Sequence, residues 1–293
     1  MRHDWIADIL AVIETGSFAR AATLRNISQS AFTRRIDTIE AQVGGRLFDR
    51  HRKPVVLSES MHGLEHALRR TLMQQTQMLQ ELRSLASGGA AITVACQHAL
   101  SATLSPQIVR TLTEAGLHPV RVRSGNQDAC QVMLWSGEAD LLIGYARSPS
   151  RPEHASGFAQ HSIGAEALVP VARPDLLRRR PGGLPIVSYP PDVFFGQLQA
   201  EILAGLPTDV TVTPIVETAL TLAAYRYAVD GFAVAWLPVA LVGDDLAAGR
   251  LQRVGGLGPD LALNVIMMRS TLATREVVDR GWQAIQQGLE GLP

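Results

Sequence analysis

Four polar side chains near the N-terminus share one face of a predicted helix. On a helical wheel at about 100° per residue, the outward face of the segment after Ser28 contains Ser30, Thr33, Arg34 and Asp37, with Gln29 at its N-terminal edge. Arginine can form a bidentate bond to guanine and glutamine to adenine, whereas serine and threonine can bond base edges or phosphates. This face therefore predicts contacts to the major groove of DNA.

The opposite face of the same helix is apolar and must hold the polar face in place. Its stripe consists of Phe32, Ile36, Ile39 and Val43, which we expect to be buried. The helix is predicted over Gln29–Val43, with Ser28 as its N-terminal cap and Gly44 at its end. Although Phe32 stands inside the polar motif, its position on the wheel predicts a core residue and no contact to DNA.

Two shorter helices and a basic hairpin surround this element. Apolar residues from Trp5 to Ile13 have helical spacing, and a second helix is predicted to start at Phe18. Residues 46–57 are typical of two short strands around a basic tip, a wing whose Arg50, Arg52 and Lys53 we expect to contact the DNA backbone or minor groove. Between Arg20 and Lys53 eight basic residues stand against three acidic ones, a surplus of five, although the whole chain has a net charge of zero.

A long helix is predicted from Glu59 to Ala86. Its stripe contains Leu64, Leu68, Leu72, Gln75, Leu79, Leu82 and Ala86. The stripe is either core packing within one chain or a dimer interface. We favour the interface because a lone helix that joins two domains has little else to pack against. Residues 87–90 are predicted to be a flexible joint.

The remainder of the chain alternates between strands and helices. Strands are predicted at Ile92–Ala95, Pro119–Arg123, Asp140–Gly144 and Ala167–Val171, and near Ile186, Ile215, Ala233 and Leu263, with a closing helix from about Ala273 to Leu289. Repeated strand–helix units predict a mostly parallel sheet that binds its ligand at the strand ends.

The sequence lacks the motifs of common enzyme classes, since it has no G-x-S-x-G, P-loop, H-E-x-x-H or C-x-x-C pattern. Its two cysteines are too few for a disulfide framework and lack the spacing of metal ligands. We therefore expect no catalytic residues, no metal and no cofactor. With no signal peptide and no run of about 20 apolar residues, the protein is expected to be cytoplasmic and to have no membrane contact.

Residues 17–50 resemble the LysR-type transcriptional regulators. The likeness lies in Ser17-Phe18-Ala19-Arg20-Ala21-Ala22, in the run from Ser28 to Ile36, in Glu40 and in the run from Gly44 to Arg50. Residues 137–141 and 230–238 resemble later family segments. Two features depart from the family: Arg25 replaces the usual leucine, and Ser58 to Gly63 replaces a T-x-x-G after the wing. The run 25–36 is similar to the hypochlorite-responsive branch, as are 98–101 and 235–238.

This resemblance implies an α/β fold with an α-rich head. It implies a winged helix-turn-helix at 1–58, a linker and dimerisation helix at 59–87, and an effector-binding domain at 91–293. That last domain would have two subdomains like a periplasmic binding protein, one at about 91–161 and 266–293 and the other at about 162–265. The implied partners are double-stranded promoter DNA, further copies of the chain as a dimer or tetramer, a small-molecule effector, and RNA polymerase as a further candidate.

The family's effector cleft lies between the subdomains, at strand ends. The residues expected there are Gln97, His98, Ser101, Ser124, Asn126, Ser188, Tyr189 and Thr218. A helix opening at 97–101 would leave free N–H groups facing an anion. His98 either contacts the ligand or caps and packs, and Tyr189 either lines the cleft or covers the sheet. A cytoplasmic small-molecule binding protein with a degenerate head is the alternative function, against which the complete polar face of the third helix counts.

Oxidant sensing is the remaining alternative for the signal. Cys96 and Cys130 are expected to be buried apolar fillers and less readily a reactive pair. Methionine oxidation stays open at Met133, Met267 and Met268, although core packing is favoured for each. The run 178–180 of three arginines is expected to be a solvated charge run and not a second DNA contact.

Overall fold

A computed structural model describes residues 3–61, 63–87, 91–147, 157–178, 183–272 and 275–289. Within them, one hydrophobic core lies in the N-terminal head and a larger one in the C-terminal part of the chain. No helix in the described ranges is both long enough and apolar enough to cross a membrane.

The head consists of three helices and a small antiparallel hairpin. These elements are α1 (His3–Thr15), α2 (Phe18–Leu24), α3 (Gln29–Val43), β1 (Phe48–Asp49) and β2 (Val56–Leu57). Ser28 caps α3 by accepting a bond from the Ala31 amide, and Gly44 ends it in the left-handed conformation. The predicted bounds and caps of α3 are confirmed.

The apolar stripe of α3 forms the centre of the head's core. Phe32, Ile36 and Ile39 are fully buried, so the assignment of Phe32 to the core is confirmed. The prediction for Val43 was wrong, because this residue is exposed at the end of α3, where the helix stops at Gly44. The Phe18 ring packs edge-on against Phe32, with 6.3 Å between ring centroids.

The connecting helix begins later than predicted and has two different halves. A 3₁₀ turn covers Glu59–Met61, and α4 spans Leu64–Ser87. Leu68 and Leu72 are buried in the head's core, whereas Leu79 and Leu82 are exposed. The prediction of a single continuous stripe with one role was therefore wrong, because the first half of α4 packs against α1 and the rest of the head. The Ala86 side chain lies outside the described residues.

The C-terminal part is built on a mixed sheet. Its strands are β3 (Ile92–Gln97), β4 (Val120–Gly125), β5 (Leu141–Arg147), β6 (Phe158–Ala172), β7 (Leu184–Ser188), β8 (Val212–Glu217), β9 (Ala235–Pro238), β10 (Gln252–Arg253) and β11 (Leu261–Ser270). The larger sheet has the order β10-β6-β11-β5-β3-β4, with β9 beside β6, and β7 pairs with β8.

The expectation of a mostly parallel sheet was wrong. Strand β3 is parallel to β4 and β5, and β7 is parallel to β8, but β11 is antiparallel to both of its neighbours, β5 and β6. The cause is connectivity: β11 returns from a distant part of the chain and enters the sheet between two earlier strands. Hydrophobic patterning does not encode that direction.

The helices described in this part of the chain are α5 (Ser105–Glu114), α6 (Gln127–Trp135), α7 (Pro174–Arg178), α8 (Phe194–Ala204), α9 (Thr221–Val229), α10 (Val239–Ala247) and α11 (Glu276–Gly288). The prediction that residues 97–101 open a helix was wrong, because they form only a 3₁₀ turn at His98–Leu100. Helix α5 begins at Ser105, with Pro106 in its first turn, where proline is favoured. Residues 179 and 180 of the arginine run lie outside the described residues.

Candidate DNA-binding face and effector cleft

The predicted polar face of α3 lies on the surface of the head. Gln29, Ser30 and Arg34 are exposed, and Thr33 is half-buried. The Thr33 hydroxyl donates to the Gln29 carbonyl over 2.9 Å, which leaves its oxygen able to accept a further bond. The structure brings all four residues together on one surface, and their contact to DNA stays a prediction.

The three basic residues of the wing differ in their surroundings. Arg52 and Lys53 are exposed, as a contact to DNA requires. Arg50 instead lies beside α3, where its Nη2 donates to Asp37 at 2.6 Å and to Glu40 at 2.8 Å. Burial lowers the pKa of Arg50, but the bond to Asp37 and the charge of Glu40 outweigh this effect and the pKa is raised. Arg50 thus braces the wing against α3, a role that the sequence prediction did not include.

Glu40 is a second bracing residue that sequence reasoning missed. Its carboxylate is buried and accepts bonds from the amides of Leu47, at 2.9 Å, and Phe48, at 3.4 Å. With Arg50 it joins the end of α3 to the first strand of the wing. The sequence did contain a signal for this role: Glu40 follows Ile36 of the apolar stripe by one helical turn. A charge that close to the buried face needs partners, because charges are seldom buried without them.

A narrow cleft lies where β3, α6, α8 and α9 meet. It is lined by Gln97, His98, Ala99, Asn126, Gln127, Tyr189, Val193, Phe194, Phe195, Ala219 and Thr221. Four of these residues were predicted for the effector site: Gln97, His98, Asn126 and Tyr189. The space in which a water molecule can be centred is about 20 Å³, which is room for about one water.

The other four predicted effector residues do not line this cleft. The hydroxyls of Ser101 and Ser124 lie 2.8 Å apart and bond each other. Ser188 donates to the carbonyl of Val216 over 3.3 Å, and Thr218 accepts from the Leu220 amide over 3.1 Å. Each of these hydroxyls is engaged by another group of the protein, and a role of the four residues in effector binding stays a prediction. The lining from α8 and the start of α9 was missed, since apolar residues carry no binding signal in the sequence.

The polar groups of the cleft are largely fixed by the protein. Gln97 accepts from the Tyr145 amide over 2.7 Å, so its side-chain NH₂ is the end left to face the cleft. The Tyr189 hydroxyl donates to the Trp236 carbonyl over 3.0 Å, and burial raises its pKa. Burial also lowers the pKa of His98, which favours the neutral imidazole. Tyr189 therefore combines its two predicted roles: its ring lines the cleft, and its hydroxyl bonds the sheet.

Three helices begin at the cleft. Asn126 caps α6 through a 2.9 Å bond from the Ala129 amide, and Phe194 and Thr221 are the first residues of α8 and α9. A helix N-terminus carries partial positive charge. None of the residues that line the cleft is an aspartate or a glutamate. The cleft is therefore suited to a polar or anionic ligand and not to a cation.

The two cysteines are buried on different sides of β3. Cys96 belongs to the large core, whereas Cys130 of α6 packs in a small cluster with Ala95 and Leu142. Burial raises the pKa of Cys96 to about 11 and that of Cys130 to about 12. Both thiols are thus poor nucleophiles at neutral pH, as expected of apolar fillers. Among the described residues no group of histidine, cysteine, aspartate or glutamate could hold a metal ion.

Helix α6 connects the cleft to α4. At its far end the Trp135 ring lies 5.0 Å from the guanidinium of Arg69, and the Ser136 carbonyl accepts a 2.6 Å bond from Thr76. Arg69 is buried and also bonds Glu14 of α1 and Glu65 of α4. Burial lowers the pKa of Arg69 to about 10, so it keeps its charge at neutral pH.

The near end of α6 carries Asp128, which is within electrostatic range of the head. Burial raises the pKa of Asp128, while the positive charge of Arg20 on α2 lowers it and the negative charge of Asp192 raises it. Both ends of this one helix are thus in electrostatic contact with the head or with α4.

Comparisons with known proteins agree with this arrangement. The bacterial regulatory helix-turn-helix model of the lysR family matches residues 3–62, and the LysR substrate binding domain model matches residues 86–289. The HTH-type transcriptional regulator YjiE of Escherichia coli (strain K12) is 24% identical over 293 residues, which are 97% of this chain and 93% of that protein.

Solved structures of full-length regulators have the same fold. The crystal structure of VV2_1132, a LysR family transcriptional regulator, superposes with a TM-score of 0.59 at 30% identity and covers 97% of this chain and 98% of that one. Full-length HypT from Salmonella typhimurium, a hypochlorite-specific regulator, superposes with a TM-score of 0.58 at 24% identity, over 99% and 98% of the two chains. The substrate-binding model alone spans more than half of the sequence. The chain therefore belongs to the LysR family of bacterial transcriptional regulators.

Proposed function

We propose that α3 and the wing tip place this regulator on promoter DNA, and that a small molecule in the cleft controls its binding. The polar face of α3 carries the proposal, because Ser30 and Arg34 are exposed opposite the buried Phe32 and Gln29 is exposed in the first turn beside them. Arg52 and Lys53 would grip the backbone beside it. The alternative of a binding protein with a degenerate head finds no support in so complete a face.

The proposal divides the chain by task. Residues 1–58 bind DNA, 59–87 link and dimerise, and 91–293 sense the effector, with about 91–161 and 266–293 forming one subdomain and about 162–265 the other. The exposed residues Met78, Leu79 and Leu82 on α4 support a homodimer through this helix. Two dimers would form the tetramer, with RNA polymerase as a further partner. The protein then acts in the cytoplasm, where its promoter is, and carries out no catalysis.

The cleft supports a small polar or anionic effector. Three helix N-termini and the side-chain amide of Gln97 offer hydrogen-bond donors, and the only titratable group besides the locked Tyr189 is His98. Because the space holds about one water, a larger ligand must open the cleft and so displace α6, α8 or α9. The likeness to YjiE and to HypT supports an oxidant as the competing signal.

Helix α6 would carry the signal, because it touches the cleft at Gln127 and α4 at Trp135. Replacing Arg69 by methionine removes the charge over the Trp135 ring while it keeps most of the side-chain length. DNA affinity should change, although Arg69 lies outside the DNA-binding face. The neighbouring Arg70 is exposed, and Arg70→Met is the matched control that should leave affinity unchanged.

A gel shift against the DNA upstream of the protein's own gene tests the proposal. Binding should weaken steeply with salt, since phosphate contacts by arginine and lysine release counterions. Binding that is absent at low ionic strength, or insensitive to salt, would refute the DNA-binding assignment. Thermal shifts with small anions, and mass spectrometry of Met133, Met267 and Met268 after hypochlorite treatment, separate the two kinds of signal.

A further inference from the structure

A buried carboxylate lies between two arginines in the head. The Asp8 side chain on α1 has no exposed surface. Its Oδ1 lies 2.8 Å from Nε of Arg25, and its Oδ2 lies 2.7 Å from Nη2 of Arg35. The other buried residues of α1 are uncharged and, apart from Thr15 in its last turn, apolar. A charge at this place therefore needs an explanation.

A gain in the stability of the folded head does not explain why Asp8 is buried there. Burial raises the pKa of Asp8, and the bond to Arg25 and the charges of Arg25 and Arg35 offset this only in part. The folded head therefore carries the ionised carboxylate at a cost. Replacing a buried ion pair by apolar side chains of similar volume is often neutral or stabilising. A leucine at position 25 would need no charged partner on α1.

The two adjacent arginines of α3 have different environments. Arg34 is exposed, and within the described part of the chain no carboxylate pairs with it. Arg35 is turned by about 100° around the helix, toward α1, where Asp8 binds it and its side chain is 36% exposed. One guanidinium is thus free at the proposed DNA-binding face, and its neighbour is held at the flank.

We propose that Asp8 is a positioning residue that limits phosphate contacts: it holds Arg35 against α1 and away from DNA phosphates. Arg34 alone of the pair then acts in the groove. The inference rests on the proposed placement of α3 in the major groove. A released arginine would bind any phosphate in reach and so strengthen binding to every sequence equally. Asp8 therefore lowers the affinity for DNA of every sequence, non-cognate DNA included, and leaves base recognition unchanged.

The slope of log K against log salt concentration, measured on a random-sequence duplex, tests this role. Each phosphate contact contributes about 0.9 to the slope, or about eightfold in affinity at about 0.1 M salt. Asp8→Asn should steepen the slope by about 1 to 2 and tighten non-specific binding about eightfold or more. Asp4→Asn removes the same charge from an exposed position one turn earlier on α1 and should leave the slope unchanged. The double variant Asp8→Asn with Arg35→Gln should have a slope that is flatter by about 1 than that of Asp8→Asn alone, because the released arginine is gone.

Single substitutions in the unaltered background give an independent test. Arg35→Gln should leave the slope unchanged, because its guanidinium makes no phosphate contact. A slope that is flatter by about 1 in Arg35→Gln would overturn the inference. Arg34→Gln should weaken binding to the protein's own upstream DNA. Unchanged binding in Arg34→Gln would count against the proposed DNA-binding face, a failure distinct from that of Asp8.

An apolar variant keeps the test decisive if Asp8→Asn does not fold. Asp8→Leu combined with Arg25→Leu removes the carboxylate and one partner and fills the site with side chains that need no charge. Circular dichroism should show an intact head, and the slope should still be steeper by about 1, because Arg35 is released. A folded variant with the slope of the original protein would refute the role of Asp8.

Discussion

The two halves of α4 should respond in opposite ways to substitution. Leu72 is 1% exposed in the head's core, whereas Leu82 is 58% exposed on the half proposed to form the dimer interface. Leu72→Ala should therefore cost about 2–5 kcal/mol of unfolding free energy, from lost burial and the cavity left behind. Leu82→Asp should leave the unfolding free energy of the monomer almost unchanged, because little burial is lost within one chain.

The effect of Leu82→Asp on association follows from its exposure. Full burial of a leucine is worth about 1.5–3 kcal/mol, so covering the 58% that is exposed contributes about 0.9–1.7 kcal/mol per subunit. Two subunits together lose about 2–3 kcal/mol, and the dimer dissociation constant should rise roughly 30- to 150-fold. Repulsion between two facing carboxylates can only add to this.

Chemical denaturation and light scattering across a dilution series separate the two effects. Leu72→Ala should lower the denaturation midpoint, and Leu82→Asp should shift the mass from dimer to monomer on dilution. An unchanged mass for Leu82→Asp at all concentrations would refute the interface on α4. Dissociation in Leu72→Ala with an unaltered midpoint would refute the assignment of Leu72 to the head's core.

Three further predictions concern the C-terminal part. A double-mutant cycle of Arg69→Met with Trp135→Leu in thermal unfolding should give a coupling of about 0.5–2 kcal/mol; a coupling of zero would show that the guanidinium–ring contact does not join α4 to α6. Burial lowers the pKa of His98 from its ordinary value of 6.5, so the unfolded chain binds this proton more tightly, and unfolding free energy should fall as the pH drops below about 6.5. His98→Gln should flatten that part of the pH profile in thermal melts, and an unaltered profile would contradict the assignment. Burial raises the pKa to about 11 for Cys96 and to about 12 for Cys130, so neither thiol should react with iodoacetamide in the folded protein at neutral pH. Rapid labelling detected by mass spectrometry would instead support the alternative of a reactive cysteine pair.

Local chemistry in the sequence predicted most of the head. The caps at Ser28 and Gly44 and the spacing of Phe32, Ile36 and Ile39 are encoded within a few residues of each other, so α3 could be placed to the residue. The partners of buried charges could not be placed this way. Asp8 meets Arg25 and Arg35 only because three helices converge, and no local pattern specifies that convergence.

The cleft was predictable only in part, for a similar reason. Polar residues at the ends of β3 and β4, namely Gln97, His98 and Asn126, follow from the rule that ligands bind at strand ends. The apolar wall from Val193 to Phe195 comes from another part of the chain, and it looks like ordinary core in the sequence. The direction of β11 was likewise undetermined until its neighbours in the sheet were known.

The bond between Glu40 and the start of the wing has a consequence for the evolution of promoter choice. The residues that brace α3, namely Phe32, Ile36 and Glu40, are buried, whereas Gln29, Ser30 and Arg34 are exposed. DNA recognition and the attachment of α3 to the core and the wing therefore depend on separate sets of residues of a single helix. A lineage can exchange the outward set, and with it the operators that it recognises, without reworking the scaffold that keeps the wing in register.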